Sequence, residues 1–276
     1  MRSLLVALDE TPAARAAMTY ALALATAQGA AVTGIGVTDV GYLTAPEPGG
    51  IGSAHYKEVA DRARLRQARE RGERAAAAFL AQCRACAVEA KVLTVEGDPA
   101  EAISAAAAGH DAIVIGRDSD FHGEADGGLA LSVERLLHRN PRPVVITPAH
   151  ARAPSTVVIA YDGSVVAART LQLFVLLGVA GAAALHVVSV APEKAEAERR
   201  AAEAGSYLAL YGRSFRTHAF AAEADPAGIV IAEAVSLGAD LLVMGAYGHR
   251  GWKEVLLGSF TTRMLAECPT ALFIHH

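Results

Sequence analysis

Short aliphatic runs alternate with longer amphipathic segments along this chain. In its second half, runs near residues 155–160, 183–190, 213–221, 240–245 and 270–275 predict five β-strands. The segments between them, near 164–180, 192–211, 225–237 and 258–267, predict four helices. Buried strands that alternate with helices are typical of an α/β fold with a parallel sheet covered on both faces.

The same pattern occurs twice, with matching local sequences in the same order. "LLVALDETPAARAAM" in the first half corresponds to "VVIAYDGSVVAARTL" in the second, so that Asp9 matches Asp162. "EGDPAEAI" corresponds to "EADPAGIV", and "DAIVIG" to "DLLVMG". The repeat is the length of a domain, which is too long for a solenoid unit. We predict two tandem domains, 1–150 and 151–276, joined by the linker Pro148–Ser155.

Two stretches need their own interpretation. Thr170 to Pro192 contains no formally charged residue, but Gly178 and Gly181 divide it and its second part is β-branched. It predicts a buried helix followed by a buried strand rather than a membrane span. In the first half, Tyr56 to about Ala87 is rich in both signs of charge and predicts an additional helix with a solvated face.

Composition narrows the class of protein. The 276 residues carry 25 basic and 29 acidic side chains, a formal charge of −4, which gives no field that favours nucleic acid or an anionic membrane. The three cysteines cannot form a disulfide framework, which suits a cytoplasmic protein. Cys83 and Cys86 form a CxxC pair on a predicted helix, and two thiols make only half of a zinc site. No metal ligand set can be named.

A glycine-rich segment, "MGAYGHRGWKEVLLGSF" from Met244 to Phe260, follows the fourth strand of the second half. Gly245 and Gly248 allow a tight turn that brings backbone N–H groups close to an anion. Gly258 and Ser259 fall where the next helix begins, and the free N–H groups there favour a phosphate. The alternative is a glycine-containing loop followed by an ordinary capping serine.

The motif G-x2-G-x9-G-S, together with Asp162 at the end of the first strand and "LHV" in the second, resembles the universal stress protein family in its tandem form. The resemblance covers each half once. It implies a fold like that of the adenine nucleotide alpha-hydrolases, with strand order 3-2-1-4-5 in each domain. It also implies a site for an adenine nucleotide: ATP with Mg²⁺, or AMP or ADP.

The resemblance assigns roles in the second half by position. Asp162 would meet the base or ribose, the Val187 backbone would bind the adenine edge, and Gly245 would pack under the ribose. Gly258 and the Phe260 amide would hold phosphates. The full set of implied nucleotide positions is Ala160, Tyr161, Asp162, Val187, Met244, Gly245, Gly248, His249, Arg250, Gly258, Ser259 and Phe260.

The first half departs from this motif. It keeps Asp9, but Gly34 stands where Val187 stands, which is expected to remove packing, and Ser119 replaces the second glycine. Acidic residues also occupy the loop that would hold phosphates: Asp118, Asp120, Glu124 and Asp126. Like charges repel phosphate, so we predict a degenerate domain without ATP.

These observations favour a stress-response protein that acts as a nucleotide-dependent regulator or scaffold. One alternative is a slow ATP hydrolase or nucleotidyl-transfer enzyme that uses the same pocket, with no catalytic residue named and only Asp162 available as a base or metal ligand. A second is a nucleotide-free scaffold. The apolar last strands of the two halves, "PVVITP" and "TALFIHH", predict an internal pseudo-dimer formed by their pairing. Further partners would be a second copy or a regulatory protein.

Overall fold

The computed structural model describes residues 1–46, 53–119, 121, 131–246 and 258–276. Three of the positions implied as nucleotide contacts, Gly248, His249 and Arg250, lie outside these ranges. So do the acidic residues Asp120, Glu124 and Asp126 of the first half; Asp118 is described.

The first half contains five strands and five helices in its described ranges. In chain order they are β1 (Ser3–Ala7), α1 (Pro12–Gln28), β2 (Ala31–Thr38), α2 (Val40–Leu43), α3 (Ser53–Ala85), β3 (Ala90–Glu96), α4 (Pro99–Ala107), β4 (Ala112–Gly116), α5 (Leu131–Arg139) and β5 (Val144–Thr147). The charge-rich segment is indeed a helix, α3.

The second half contains the elements that the hydrophobic pattern predicts. They are β6 (Thr156–Ala160), α6 (Val165–Leu176), β7 (Ala184–Ala191), α7 (Lys194–Leu210), β8 (Phe215–Ala221), α8 (Pro226–Ser236), β9 (Leu241–Gly245), α9 (Ser259–Glu267) and β10 (Ala271–His275). The largest difference is the end of α6, which stops four residues early. Gly178 has a φ of 65°, a left-handed conformation that a helix cannot continue through.

All ten strands form one sheet in the order β3-β2-β1-β4-β5-β10-β9-β6-β7-β8. Each half therefore has the predicted order 3-2-1-4-5, and its strands are parallel. The aspartates of the two "DPA" sequences, Asp98 and Asp225, cap α4 and α8, with proline in the first turn.

The halves meet where β5 and β10 pair in the antiparallel direction. Val144 lies opposite Ile274, Val145 opposite Phe273, and Ile146 opposite Leu272. Because the strands of each half are parallel to one another, those of the first half run opposite to those of the second. The carboxyl ends of the two sets of strands therefore lie at opposite edges of the sheet.

Two hydrophobic clusters cover the two faces of the sheet, and each extends through both halves. One contains Leu4 and Val145 together with Phe273 and Leu241.

The apolar run at Thr170–Pro192 contributes most of α6 and all of β7 to this fold, as the sequence predicts. None of the helices in the described ranges has the length and apolar composition that a bilayer-spanning helix needs.

The helix α3 buries one narrow stripe, formed by Ala68, Ala75, Phe79 and Cys83. This stripe explains why Gly34 leaves no gap. A Cβ at Gly34 would lie 2.6 Å from Leu8 Cδ1 and 2.9 Å from Phe79 Cε1. The prediction that Gly34 removes packing is therefore wrong, because the Phe79 ring occupies the space that a side chain would fill.

Substitution of Phe273 tests whether the two halves share one core. It is fully buried opposite Val145, and its ring packs edge-on against Phe174 with centroids 5.8 Å apart. We expect Phe273→Ala to lower the free energy of unfolding by about 3–5 kcal/mol, because a buried ring leaves a cavity. Hydrogen exchange should show reduced protection in both halves.

The control is Leu210→Ala, at a side chain that is 81% exposed. It should change stability by less than about 0.5 kcal/mol. Loss of protection confined to residues 156–276 in the Phe273 variant would contradict a shared core.

Candidate functional site

Four positions of the predicted site come together at the carboxyl edge of the second half. Asp162 follows the end of β6, and Gly245 ends β9. Since β10 is parallel to β9, the helix between them must begin at the same edge, which places Gly258 and Ser259 there. Open parallel sheets bind ligands at this edge, where the strand order reverses.

Asp162 closes the turn that leads into α6. Its Oδ1 accepts a hydrogen bond from the Ser164 amide at 2.9 Å, and the residue is exposed. The Ser164 hydroxyl in turn accepts from the Ala167 amide at 3.1 Å and caps α6. The turn therefore holds an anionic side chain at the surface of the candidate site.

Gly245 is required by the close approach of β9 to the first turn of α6. A Cβ there would lie 2.9 Å from the Ala167 nitrogen and 3.0 Å from the Val166 carbonyl carbon. Gly116 has the same surroundings in the first half, at 2.4 Å from the Ala14 nitrogen. Packing against the first helix therefore explains glycine at both positions without any ligand.

Gly258 is different. It precedes α9 with φ −58° and ψ 148°, a conformation open to any residue, and no described atom lies within 4 Å of a Cβ built on it. Gly258 has no side chain to cap α9, whereas Ser164 caps α6 and Asp225 caps α8. Among the described residues, the first backbone N–H groups of α9 are left for an external acceptor, and the helix dipole favours an anion there.

Other implied contacts are buried in the fold. Tyr161 is only 4% exposed, and its hydroxyl donates to Glu203 Oε1 at 2.9 Å; burial and this carboxylate raise the pKa of the Tyr161 phenol. The Met244 side chain is buried in the core, and Ala160 is half-buried. Val187 pairs with Ile159 on one side and Thr217 on the other, which places its backbone inside the sheet.

Ser189 is a polar residue of this edge that the sequence reasoning missed. Pairing between β6 and β7 ends at Ala160 and Val188, so Ser189 is the first residue of β7 beyond that ladder. It is 1% exposed, and its hydroxyl has no hydrogen-bond partner in the described structure. The sequence signal that could have identified Ser189 is a single hydroxyl in an otherwise apolar strand. A buried polar group without a partner destabilises the fold, so such a residue indicates a missing partner.

The equivalent edge of the first half differs in charge and burial. Asp9 Oδ1 accepts from the Thr11 amide at 2.7 Å, the same turn that Asp162 forms. Burial raises the pKa of Asp9 from its ordinary value of 3.8 to about 6; hydrogen bonds from Thr11 oppose this shift and the nearby Asp118 adds to it. Aspartates at equivalent sequence positions therefore have unlike environments.

A cavity of about 500 Å³ lies at this first-half edge. Its walls come from the ends of β1, β2 and β3 and from α3, and Asp9 lines it. The volume falls within the range of small-molecule sites. The Gly36 position, which corresponds to Ser189, also faces this cavity.

Comparison with known proteins finds the same family in both halves. The model of the Universal stress protein family matches residues 1–148 and again residues 154–275. A curated universal stress protein of Synechocystis sp. is 27% identical over 159 residues, which cover 57% of this chain. The match spans only 55% of that relative's length.

Solved structures resemble the whole chain. A universal stress protein from Archaeoglobus fulgidus DSM 4304 superposes with a TM-score of 0.72 at 18% identity, covering 99% of this chain and 97% of that one. A functionally unknown protein from Pseudomonas aeruginosa PAO1 gives a TM-score of 0.63 at 18% identity, covering 100% and 92%. At these identities the likeness establishes the fold.

The raised pKa of Asp9 predicts a pH effect on stability. The folded chain holds this proton more tightly than the unfolded chain, so ionisation destabilises the fold as pH rises from about 4 to 6. Relative to wild type, Asp9→Asn should therefore gain stability over that range, by at most about 3 kcal/mol for a shift of this size.

Urea unfolding at pH 4.5 and pH 7 measures this difference. The matched control is Asp162→Asn, which removes an exposed carboxyl at the equivalent position and is measured at the same two pH values. If the difference in unfolding free energy between Asp9→Asn and wild type is equal at both pH values, the raised pKa of the Asp9 carboxyl is contradicted.

Proposed function

The chain belongs to the universal stress protein family, and from this premise we propose that its second half binds an adenine nucleotide as a regulatory ligand. ATP with Mg²⁺ is the proposed form, and the domain comprises residues 151–276. The first domain, residues 1–150, acts as a partner without a nucleotide. Through β5 and β10 the two domains form an intramolecular pseudo-dimer.

The uncapped beginning of α9 carries this proposal. Neither backbone conformation nor packing against described residues demands glycine at Gly258. A polar side chain at this N-cap position would occupy the first N–H groups of the helix, and glycine leaves them free for a ligand. Phosphate is the common anionic ligand of such a helix end. The Ser259 hydroxyl and the Phe260 amide would add donors to the same phosphate.

The remaining parts of a nucleotide have matching surroundings at this edge. The exposed carboxylate of Asp162 can accept hydrogen bonds from ribose hydroxyls. The buried hydroxyl of Ser189 offers a polar contact to the base beyond the β6–β7 ladder, where the Val187 backbone is already inside the sheet. We therefore assign the base contact of β7 to Ser189.

Magnesium would be held mainly by the nucleotide itself. The described residues contain no group of three or more His, Cys, Asp or Glu side chains that could hold a metal ion. Mg²⁺ commonly keeps several waters and binds through one or two carboxylates plus phosphates. The ion would offset phosphate charge.

The described residues of the first half differ in charge at the equivalent edge. Asp9 and the nearby Asp118 bring two carboxyl groups together there, and Ser119 is completely buried. Negative charge at this edge disfavours a triphosphate. This contrast supports one nucleotide per chain.

Calorimetric titration of Mg-ATP into Gly258→Asp tests the proposal. The new carboxylate would cap α9, because aspartate is a better N-cap than glycine, so the fold is retained. The same carboxylate would occupy the N–H groups and repel the phosphates. We expect one site per wild-type chain and a loss of about tenfold or more in affinity in the variant.

Gly109→Asp is the matched control. Gly109 is exposed, has no neighbour within 4 Å of a built Cβ, and lies in the first half. It introduces the same charge and should leave ATP affinity unchanged. Equal affinity in wild type and Gly258→Asp, or no thermal stabilisation of wild type by saturating Mg-ATP, would refute a nucleotide at α9; two sites per chain would refute the role given to the first domain.

A further inference from the structure

The cavity in the first half combines apolar walls with the carboxyl group of Asp9. Its apolar lining includes Leu8, Val37, Val92 and Phe121. Asp9 reaches the same cavity from the end of β1. Sites that take small organic molecules have this composition, in which apolar walls surround a few polar groups that fix orientation.

One oxygen of the Asp9 carboxyl lacks a hydrogen-bond donor among the described residues. Asp9 Oδ1 is bound by the Thr11 amide, whereas Oδ2 is buried and accepts no hydrogen bond in the described structure. The Ser119 hydroxyl opposes the rise in the pKa of this carboxyl, but neither Ser119 nor Asp118 lines the cavity. Because a carboxylate oxygen can only accept, the partner that Asp9 lacks is a donor.

The charges that line the cavity point to the same kind of partner. Four carboxyl groups face two guanidinium groups: Asp9, Glu10, Glu73 and Glu96 against Arg69 and Arg71. Arg69 is already engaged, donating to Glu96 Oε1 at 2.8 and 3.2 Å. Glu10 is likewise engaged, since Arg74 donates to both of its carboxylate oxygens at 2.8 and 3.0 Å. Asp9 and Glu73 then remain against Arg71, so a cation that also donates hydrogen bonds is favoured over an anion.

We propose that this cavity binds a primary amine with an apolar body, its ammonium group placed against the Asp9 carboxylate. An ammonium carries three N–H donors and a positive charge, which is what the Asp9 carboxylate lacks. The apolar body packs on the walls formed by Leu8, Val92 and Phe121. The proposal is independent of nucleotide binding, because the two sites lie at opposite edges of the sheet.

Calorimetry with the full chain and three indole probes tests the site. Tryptamine carries the ammonium, 3-indolepropionate replaces it with a carboxylate, and indole has neither. We expect tryptamine to bind once per chain, and at least about tenfold more tightly than either of the others, since one charge-assisted contact is worth that much. Gly258→Asp should bind tryptamine as wild type does, which separates this site from the nucleotide site.

Asp9→Asn supplies the decisive variant. Its amide oxygen can still accept from the Thr11 amide, which keeps the turn into α1, but its charge is gone. We expect tryptamine affinity to fall about tenfold or more. Glu198→Gln, at an exposed carboxylate of α7 in the other half, should leave it unchanged.

Four results would overturn the proposal. Tryptamine could bind Asp9→Asn as tightly as wild type, or 3-indolepropionate could bind as well as tryptamine. Alternatively, Mg²⁺ or Ca²⁺ alone could bind in an Asp9-dependent way and displace the amine, which would make this a metal site. Failure of tryptamine, phenethylamine and cyclohexylamine to bind below about 1 mM would also exclude the amine site.

Discussion

The antiparallel pairing of β5 with β10 determines the arrangement of everything else in this chain. All six paired side chains, Val144, Val145, Ile146, Leu272, Phe273 and Ile274, are at most 2% exposed. Their burial converts two five-stranded sheets into one sheet with a continuous core on each face. A strand edge that would otherwise be open is thereby covered within the molecule.

Polar contacts add to this junction. The Arg117 guanidinium, which follows β4, donates to the Cys268 carbonyl before β10 at 2.5 Å. The Gln28 amide donates to the Gly178 carbonyl at 3.1 Å, again from one half to the other. Because the carboxyl ends of the strands lie at opposite edges, any influence of one site on the other must pass through these contacts and the shared core.

The two halves show how one framework can serve different chemistry. Both keep the aspartate turn at Asp9 and Asp162, and both keep a glycine under the first helix. They differ in the long helix between the second and third strands, since α3 has 33 residues and α7 has 17. Asp9 is half-buried and desolvation raises its pKa to about 6, whereas Asp162 is exposed. The framework was retained while the surroundings of its acidic group changed.

Most of the fold could be predicted from signals that act between neighbouring residues. Short aliphatic runs located the strands, and the aspartate–proline pairs at Asp98 and Asp225 marked helix starts. What the sequence missed depends on register and distant packing. The contact of Phe79 with Gly34 joins separate elements, and the burial of the Val187 backbone follows from where β6 ends. No pattern of neighbouring residues contains this information.

The glycines of the motif show why a match alone is weak evidence for a ligand. Gly245 and Gly116 both sit against backbone atoms of the helix that follows the first strand of their half, so packing requires them with or without a nucleotide. Gly258 has an ordinary φ and free space among the described residues, so that explanation fails there. A glycine that neither conformation nor packing explains, at the uncapped start of a helix, is the part of the motif that distinguishes a binding segment from a structural turn.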